Sequence, residues 1–157
     1  MIGARVRRQA VFGVAGALAF ITACGAGEPK PAALDARNEA CRFCRMAVSD
    51  ARFAAQIAAP GEEPLFFDDV GCLAGYLREA KSVASGAAAF VADHRTGEWV
   101  LAARAVYAQS PSIQTPMNSH ILTYASAASR DEDPAAHDGR AVPVSAVFPV
   151  APPEGRR

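Results

Sequence analysis

The chain is predicted to be α+β, built as two small β-β-α-β units. Short segments with period-two alternation recur between residues 41 and 148, and they are separated by turn residues. A clear helical stripe stands in the first half. The order of elements in that half then returns, more faintly, in the second.

Residues 52–58 alternate, with Phe53, Ala55 and Ile57 on one face, which predicts a half-buried strand. Residues 59–64, with Pro60, Gly61 and Pro64, form a turn, and 65–67 pair back as a hairpin. Asp68 and Asp69 precede a helix over 70–80, and an aspartate there is a good N-cap. Val70, Leu73, Ala74 and Leu77 give that helix one apolar stripe. Strands follow at 88–92 and 98–102, on either side of the turn Asp93-His-Arg-Thr-Gly97. The second half repeats the order: a strand at 105–109, a loop carrying Pro111 and Pro116, and a strand at 121–125. A short helical stretch over 127–137, broken near Pro134, leads to a strand at 140–146 that Pro143 confines to a sheet edge. The two halves span about 41–102 and 103–148.

The chain around this domain has a different character. Arg5, Arg7 and Arg8 precede an apolar run at 11–23 that is too short for a comfortable membrane span and has the layout of a secretory signal. The run ends Ile21-Thr-Ala-Cys24, the pattern of a bacterial lipoprotein signal, which predicts cleavage before Cys24 and acylation there. Residues 1–23 are then a signal peptide and 24–40 a flexible tether, reaching roughly 50 Å when extended. Residues 149–157 read as a frayed tail. Without the signal, 13 basic and 16 acidic side chains remain, a formal −3. With no basic patch, nucleic acid is not an expected partner. A monomer facing the periplasm is expected.

Sulfur placement carries the chemistry. With Met1 removed and Cys24 acylated, the sulfurs left are Cys41, Cys44, Met46, Cys72 and Met117. Neither remaining methionine fills the predicted core. Met46 follows Cys41-x-x-Cys44, and Met117 stands three residues before His120. Thiolate and thioether suit Cu(I), and imidazole is acceptable to it. Zn²⁺ takes Cys and His but has little use for Met. A local Cys41–Cys44 disulfide remains open in an oxidising compartment, as does a thiol–disulfide redox pair. Cys72 lies roughly 150° from the middle of the helix stripe, so a packed free thiol and a ligand are both open. The metal candidates rank Met117, Cys44, Cys41, Met46, His120, Cys72. His94 and His137 are expected to be solvated, and capping explains at least one of Asp68 and Asp69. No nucleophile–base–orienter set is visible, so no enzyme is expected.

Cys41-x-x-Cys44-x-Met46, Phe67-Asp-Asp-Val-Gly-Cys-Leu73, Thr96-Gly-Glu-Trp-Val100, Ala103-Arg-Ala-Val-Tyr107 and Thr115-Pro-Met117 occur in this order. Together they resemble the NosL family, the lipoprotein copper chaperones associated with nitrous-oxide reductase. The resemblance implies a membrane-anchored, periplasm-facing protein that binds one Cu(I) and passes it to the reductase or its maturation complex. It also implies a fold of two β-β-α-β units like the organomercurial-lyase core. Arg45 and Asn118 stand where family members usually or often have glycine. A general periplasmic copper buffer is the alternative client-free role.

Overall fold

A computed structural model describes residues 29–155. The signal segment, Cys24 and its acylation lie outside the described residues.

The elements are β1 (Ala55–Ala58), β2 (Leu65–Phe67), α1 (Val70–Glu79), β3 (Ala88–Ala92), β4 (Trp99–Leu101), β5 (Val106–Gln109), β6 (Ile121–Tyr124), α2 (Ala127–Asp131), a 3₁₀ turn (Pro134–Ala136), β7 (Arg140–Val142) and α3 (Val144–Val147). They form two antiparallel sheets, ordered β2-β1-β3-β4 and β6-β5-β7. The first strand of each unit is flanked by the second and the third, so the predicted echo is a repeat of topology. Helices α1 and α2 follow the second strand of their unit and begin at a side-chain cap, Asp69 or Ser126.

Expected and observed elements differ where a local chemical reason exists. The first strand starts at Ala55, because Phe53 turns out of it and stacks on His94 at 5.0 Å between ring centroids. The predicted last strand stops at Val142; Pro143 has no N–H for the ladder, and α3 follows it. The predicted 127–137 helix divides before Pro134, where Asp133 accepts the Ala135 N–H and starts the 3₁₀ turn.

β1 is buried on both faces, not half-buried. Ala55, Ile57, Phe67, Ala89 and Val91 pack with Val70, Leu73 and Leu77 of α1. The opposite face is covered by the segment expected to be free tether. Ala32 and Leu34 pack with Val48, Ala54 and Phe66. The buried Gln56 side chain grips the Ala32 backbone both ways, accepting its N–H at 2.8 Å and donating to its carbonyl at 3.1 Å. A buried amide must be paired, and this chain pairs it with the passing segment. The predicted frayed tail is likewise docked: Glu154 bridges Ala88, and Pro152 is buried.

His94, expected in solvent, is only 7% exposed. Its Nδ1 lies 2.6 Å from Asp133 Oδ2, which also accepts the Tyr124 hydroxyl at 3.1 Å. This buried network holds the β3–β4 turn of one half against β6 and the 3₁₀ turn of the other.

Candidate metal centre

The Cys41–Met46 stretch is a closed knuckle. Ala40 and Ala47 form a β-bridge across its base. Inside it, Cys41 N–H donates to the Met46 carbonyl at 2.7 Å, and Arg45 N–H to the Cys41 carbonyl at 2.9 Å. Closing so short a loop needs a left-handed residue, and Arg45 adopts φ +67°. That is one of the two positions where the family resemblance implies glycine; the other, Asn118, has φ +58°.

Two contacts dock the knuckle on the domain. Arg42 N–H donates to the Phe66 carbonyl at 2.7 Å, continuing from the edge of β2. Phe43, between the two cysteines, lies flush on α1 at Gly75, where a Cβ would fall 2.6 Å from its Cζ. Gly75 is thus a close-approach glycine. The helix side away from the core stripe faces the knuckle, and Cys72 points there. It is 1% exposed, as is Cys41, while Cys44 is half-buried. The Sγ atoms of Cys41, Cys44 and Cys72 all lie within 4.8 Å of one another, and all three are free thiols.

The three sulfurs are electrostatically unequal. Burial pushes the Cys41 thiol up, but N–H donors from Cys44, Asp68 and Phe43 outweigh it, so its pKa is lowered. Burial raises Cys44 despite the Met46 N–H on its sulfur. Burial, followed by the neighbouring Cys41, raises Cys72 strongly. Cys41 is thus the first of the three thiols to lose its proton. A cation arriving at Cys41 would displace the protons of the other two.

The aspartates of the Asp-Asp pair have separate tasks. Asp68 Oδ1 accepts the Ser49 N–H at 2.8 Å and its hydroxyl at 3.2 Å, fixing the exit of the knuckle. Asp69 Oδ1 caps α1 through the N–H groups of Gly71 and Cys72, at 2.7 and 3.2 Å. Its Oδ2 accepts the Thr115 hydroxyl at 2.8 Å and the Met117 N–H at 3.1 Å. The Met117 loop is therefore tied to the helix start that carries Cys72. Sequence reasoning assigned one aspartate to capping and missed these roles. The available signal was a second acid where one cap suffices.

The six sequence candidates separate in space. The cysteines converge, including Cys72, the last ranked. Met117, the first ranked, is 39% exposed on its loop, and Met46 is 49% exposed on the knuckle. Neither methionine fills the core, as the sequence predicts. His120 sits at φ +56° with Nδ1 2.8 Å from the Ile113 carbonyl. A carbonyl can only accept, so Nδ1 carries a hydrogen and Nε2 is the nitrogen left for a ligand. Buried thiols make a soft donor set that fits Cu(I), and with one more donor would also fit Zn²⁺.

A family profile described as NosL matches residues 31–150. No curated protein and no solved structure matches the chain.

Proposed function

This chain belongs to the NosL family, and from that premise we propose that it is an envelope lipoprotein that carries Cu(I) to nitrous-oxide reductase or its maturation complex. The observation that carries the reading is the convergence of three Sγ atoms within 4.8 Å, contributed by the knuckle and by α1. Cys41, Cys44 and Cys72 hold the cargo ion. Met117 supplies an exchangeable fourth sulfur, and Met46 and His120 are further donors for the ion as it enters and leaves. Thioethers and a neutral imidazole bind without losing a proton, so they can hand the ion on stepwise while the thiolates release it.

Anchoring through Cys24 places this site near the membrane. No described helix is long and apolar enough to span a bilayer. Because Ala32 and Leu34 are docked on the sheet, the chain from Cys24 to Ala32 can span at most roughly 26–29 Å, not the roughly 50 Å expected of a free tether. The protein therefore serves partners close to the membrane surface.

The test is an anaerobic metal titration of the reduced protein against competing chelators. One Cu(I) should bind far more tightly than Zn²⁺, and Cys72→Ser should weaken Cu(I) beyond the roughly 10–100-fold typical of outer-shell changes. Equal or tighter zinc binding would move the cluster to a structural zinc knuckle. In a deletion strain, reductase purified with its full copper would remove the delivery role while leaving copper binding intact.

A further inference from the structure

The two helix starts invite a direct comparison. Ser126 caps α2 with a single oxygen, accepting the Ser129 N–H at 3.1 Å. Asp69 does the same for α1 with Oδ1 alone. Its second oxygen is not needed by the helix, and both of its bonds go to the loop carrying Met117. That loop is under local strain: Asn118 and His120, one and three residues after Met117, both have φ near +57°. Non-glycine residues there cost free energy and persist only when their surroundings over-determine them. Asp69 is fully buried and Thr115 nearly so, so their hydrogen bond is shielded from water. Ser119 closes the contact, its Cβ 3.0 Å from where a Cβ on Gly71 would stand.

From this we infer that Asp69 is a positioning residue of the copper site: through Oδ2 it fixes the Met117 backbone beside Cys72, so that the exposed thioether can swing onto an ion held by the three thiols. The inference rests on the copper-carrying reading above and deepens it. One carboxylate bonds the N–H groups of both Cys72 and Met117, so the two backbones are held on one pivot while the Met117 side chain stays free. Asp69 touches no cargo ion; it acts through Met117.

The experiment uses the full chain purified in detergent, as wild type, Asp69→Asn, Asp69→Ser, Met117→Leu and the double variants. Asparagine keeps the cap oxygen but presents an N–H group to the Met117 N–H. Serine copies Ser126 and has no second oxygen. Cu(I) affinity is read by chelator competition, sulfur coordination by X-ray absorption, and stability by melting of the copper-free protein. Each single change should weaken Cu(I) by roughly 10–100-fold and remove one sulfur from the coordination shell, with melting close to wild type for at least one Asp69 variant. Adding Met117→Leu to either Asp69 variant should weaken binding no further, since both changes remove the same donor. Additive losses, or Asp69 variants that keep wild-type affinity and sulfur count while Met117→Leu loses both, would overturn the positioning role alone. An unchanged Met117→Leu protein would overturn the fourth-sulfur reading and this inference with it.

Discussion

The knuckle at Cys41–Met46 and the turn at Asp93–Glu98 are the same backbone with different atoms. Cys41 N–H bonds the Met46 carbonyl, and Asp93 N–H bonds the Glu98 carbonyl, each at 2.7 Å. Arg45 and Gly97 close the two loops at φ +67° and +76°. Arg42 N–H reaches Phe66 in β2, and His94 N–H reaches Thr123 in β6. The likeness extends to side chains. Cys41 accepts the Asp68 N–H as Asp93 accepts the Ala125 N–H, and Cys72 holds the helix position that Ser129 holds in α2. Where the first turn gathers Cys41, Cys44 and Cys72, the second has Asp93, Thr96 and Ser129.

The oxygen copy closes on itself. Asp93 accepts from Arg95, Thr96, Ala125 and the Ser129 hydroxyl, at 2.7–3.0 Å. Four charge-assisted bonds satisfy the carboxylate and make the turn a staple. Thiols are poor donors and weak acceptors, so the sulfur copy leaves its lone pairs available. One scaffold thus carries a hydrogen-bonded staple with oxygen and, with sulfur, a thiol cluster that could hold a metal.

The strongest test of this equivalence is to rewrite the second turn. Asp93→Cys, Thr96→Cys and Ser129→Cys together should raise Cu(I) stoichiometry from one to two in an anaerobic titration, at some cost in stability. A stoichiometry still at one would mean that the two turns match in backbone only.

Gly75→Ala should separate knuckle from helix. The new Cβ overlaps Phe43, and overpacking of this kind costs about 1–3 kcal/mol. Thermal melts should fall, and Cu(I) affinity with them, because Cys72 is withdrawn from the other thiols. Ala128 of α2 is exposed, so Ala128→Gly should leave affinity unchanged.

Asp93→Asn should cost about 1–3 kcal/mol of stability and leave Cu(I) affinity intact, the reverse of a cysteine change. The pH profile gives a second readout. Burial pushes the Asp93 carboxyl up, but the Ala125 N–H, the Ser129 hydroxyl and the turn N–H groups outweigh it, so its pKa is lowered. Below that folded value both states are protonated, and between the folded and unfolded values the unfolded chain binds more protons. Its stabilisation is therefore present above about pH 4 and lost as pH falls through the folded pKa. Denaturant melts between pH 3 and 7 should show a flatter acid limb in Asp93→Asn; an unchanged limb would remove Asp93 from the staple.

The smallest effect concerns the left-handed residues. Arg45→Gly should stabilise by up to about 1 kcal/mol, and Gly97→Ala should destabilise by about as much. No atom lies within 4 Å of a Cβ on Gly97, so the second change tests backbone strain alone. Opposite shifts in melting temperature are expected; shifts of one sign would mean that the loops are closed differently.

The strands, the first helix and its Asp69 cap were legible because each depends on nearby residues: alternation at 88–92, the stripe from Val70 to Leu77, an acid before it. The soft donors were legible too, since methionine outside an apolar pattern has few other uses. Cys72 was not, because a helical wheel shows which side leaves the core and cannot show what covers that side. Residues 29–40 carry no apolar periodicity, yet Ala32 and Leu34 fill the back of the sheet, because the Gln56 amide, which bonds the Ala32 backbone both ways, and a few small side chains specify the contact without any repeat. His94 lies in what reads as a solvated turn; its partner Asp133 is 39 positions away.

By itself, the sequence determined the alternation of elements, the doubled β-β-α-β order and a supply of sulfur too deliberate for packing. These follow from side-chain period and donor chemistry, which are properties of neighbours along the chain. Tertiary structure decided which sulfurs meet, because Cys41 and Cys72 are joined only when Phe43 settles on Gly75 and Arg42 bonds Phe66. It also decided that one loop would be a thiol knuckle and its twin a hydrogen-bonded staple. Identical backbone bonds form in both, and only the atoms brought across from each helix start distinguish them.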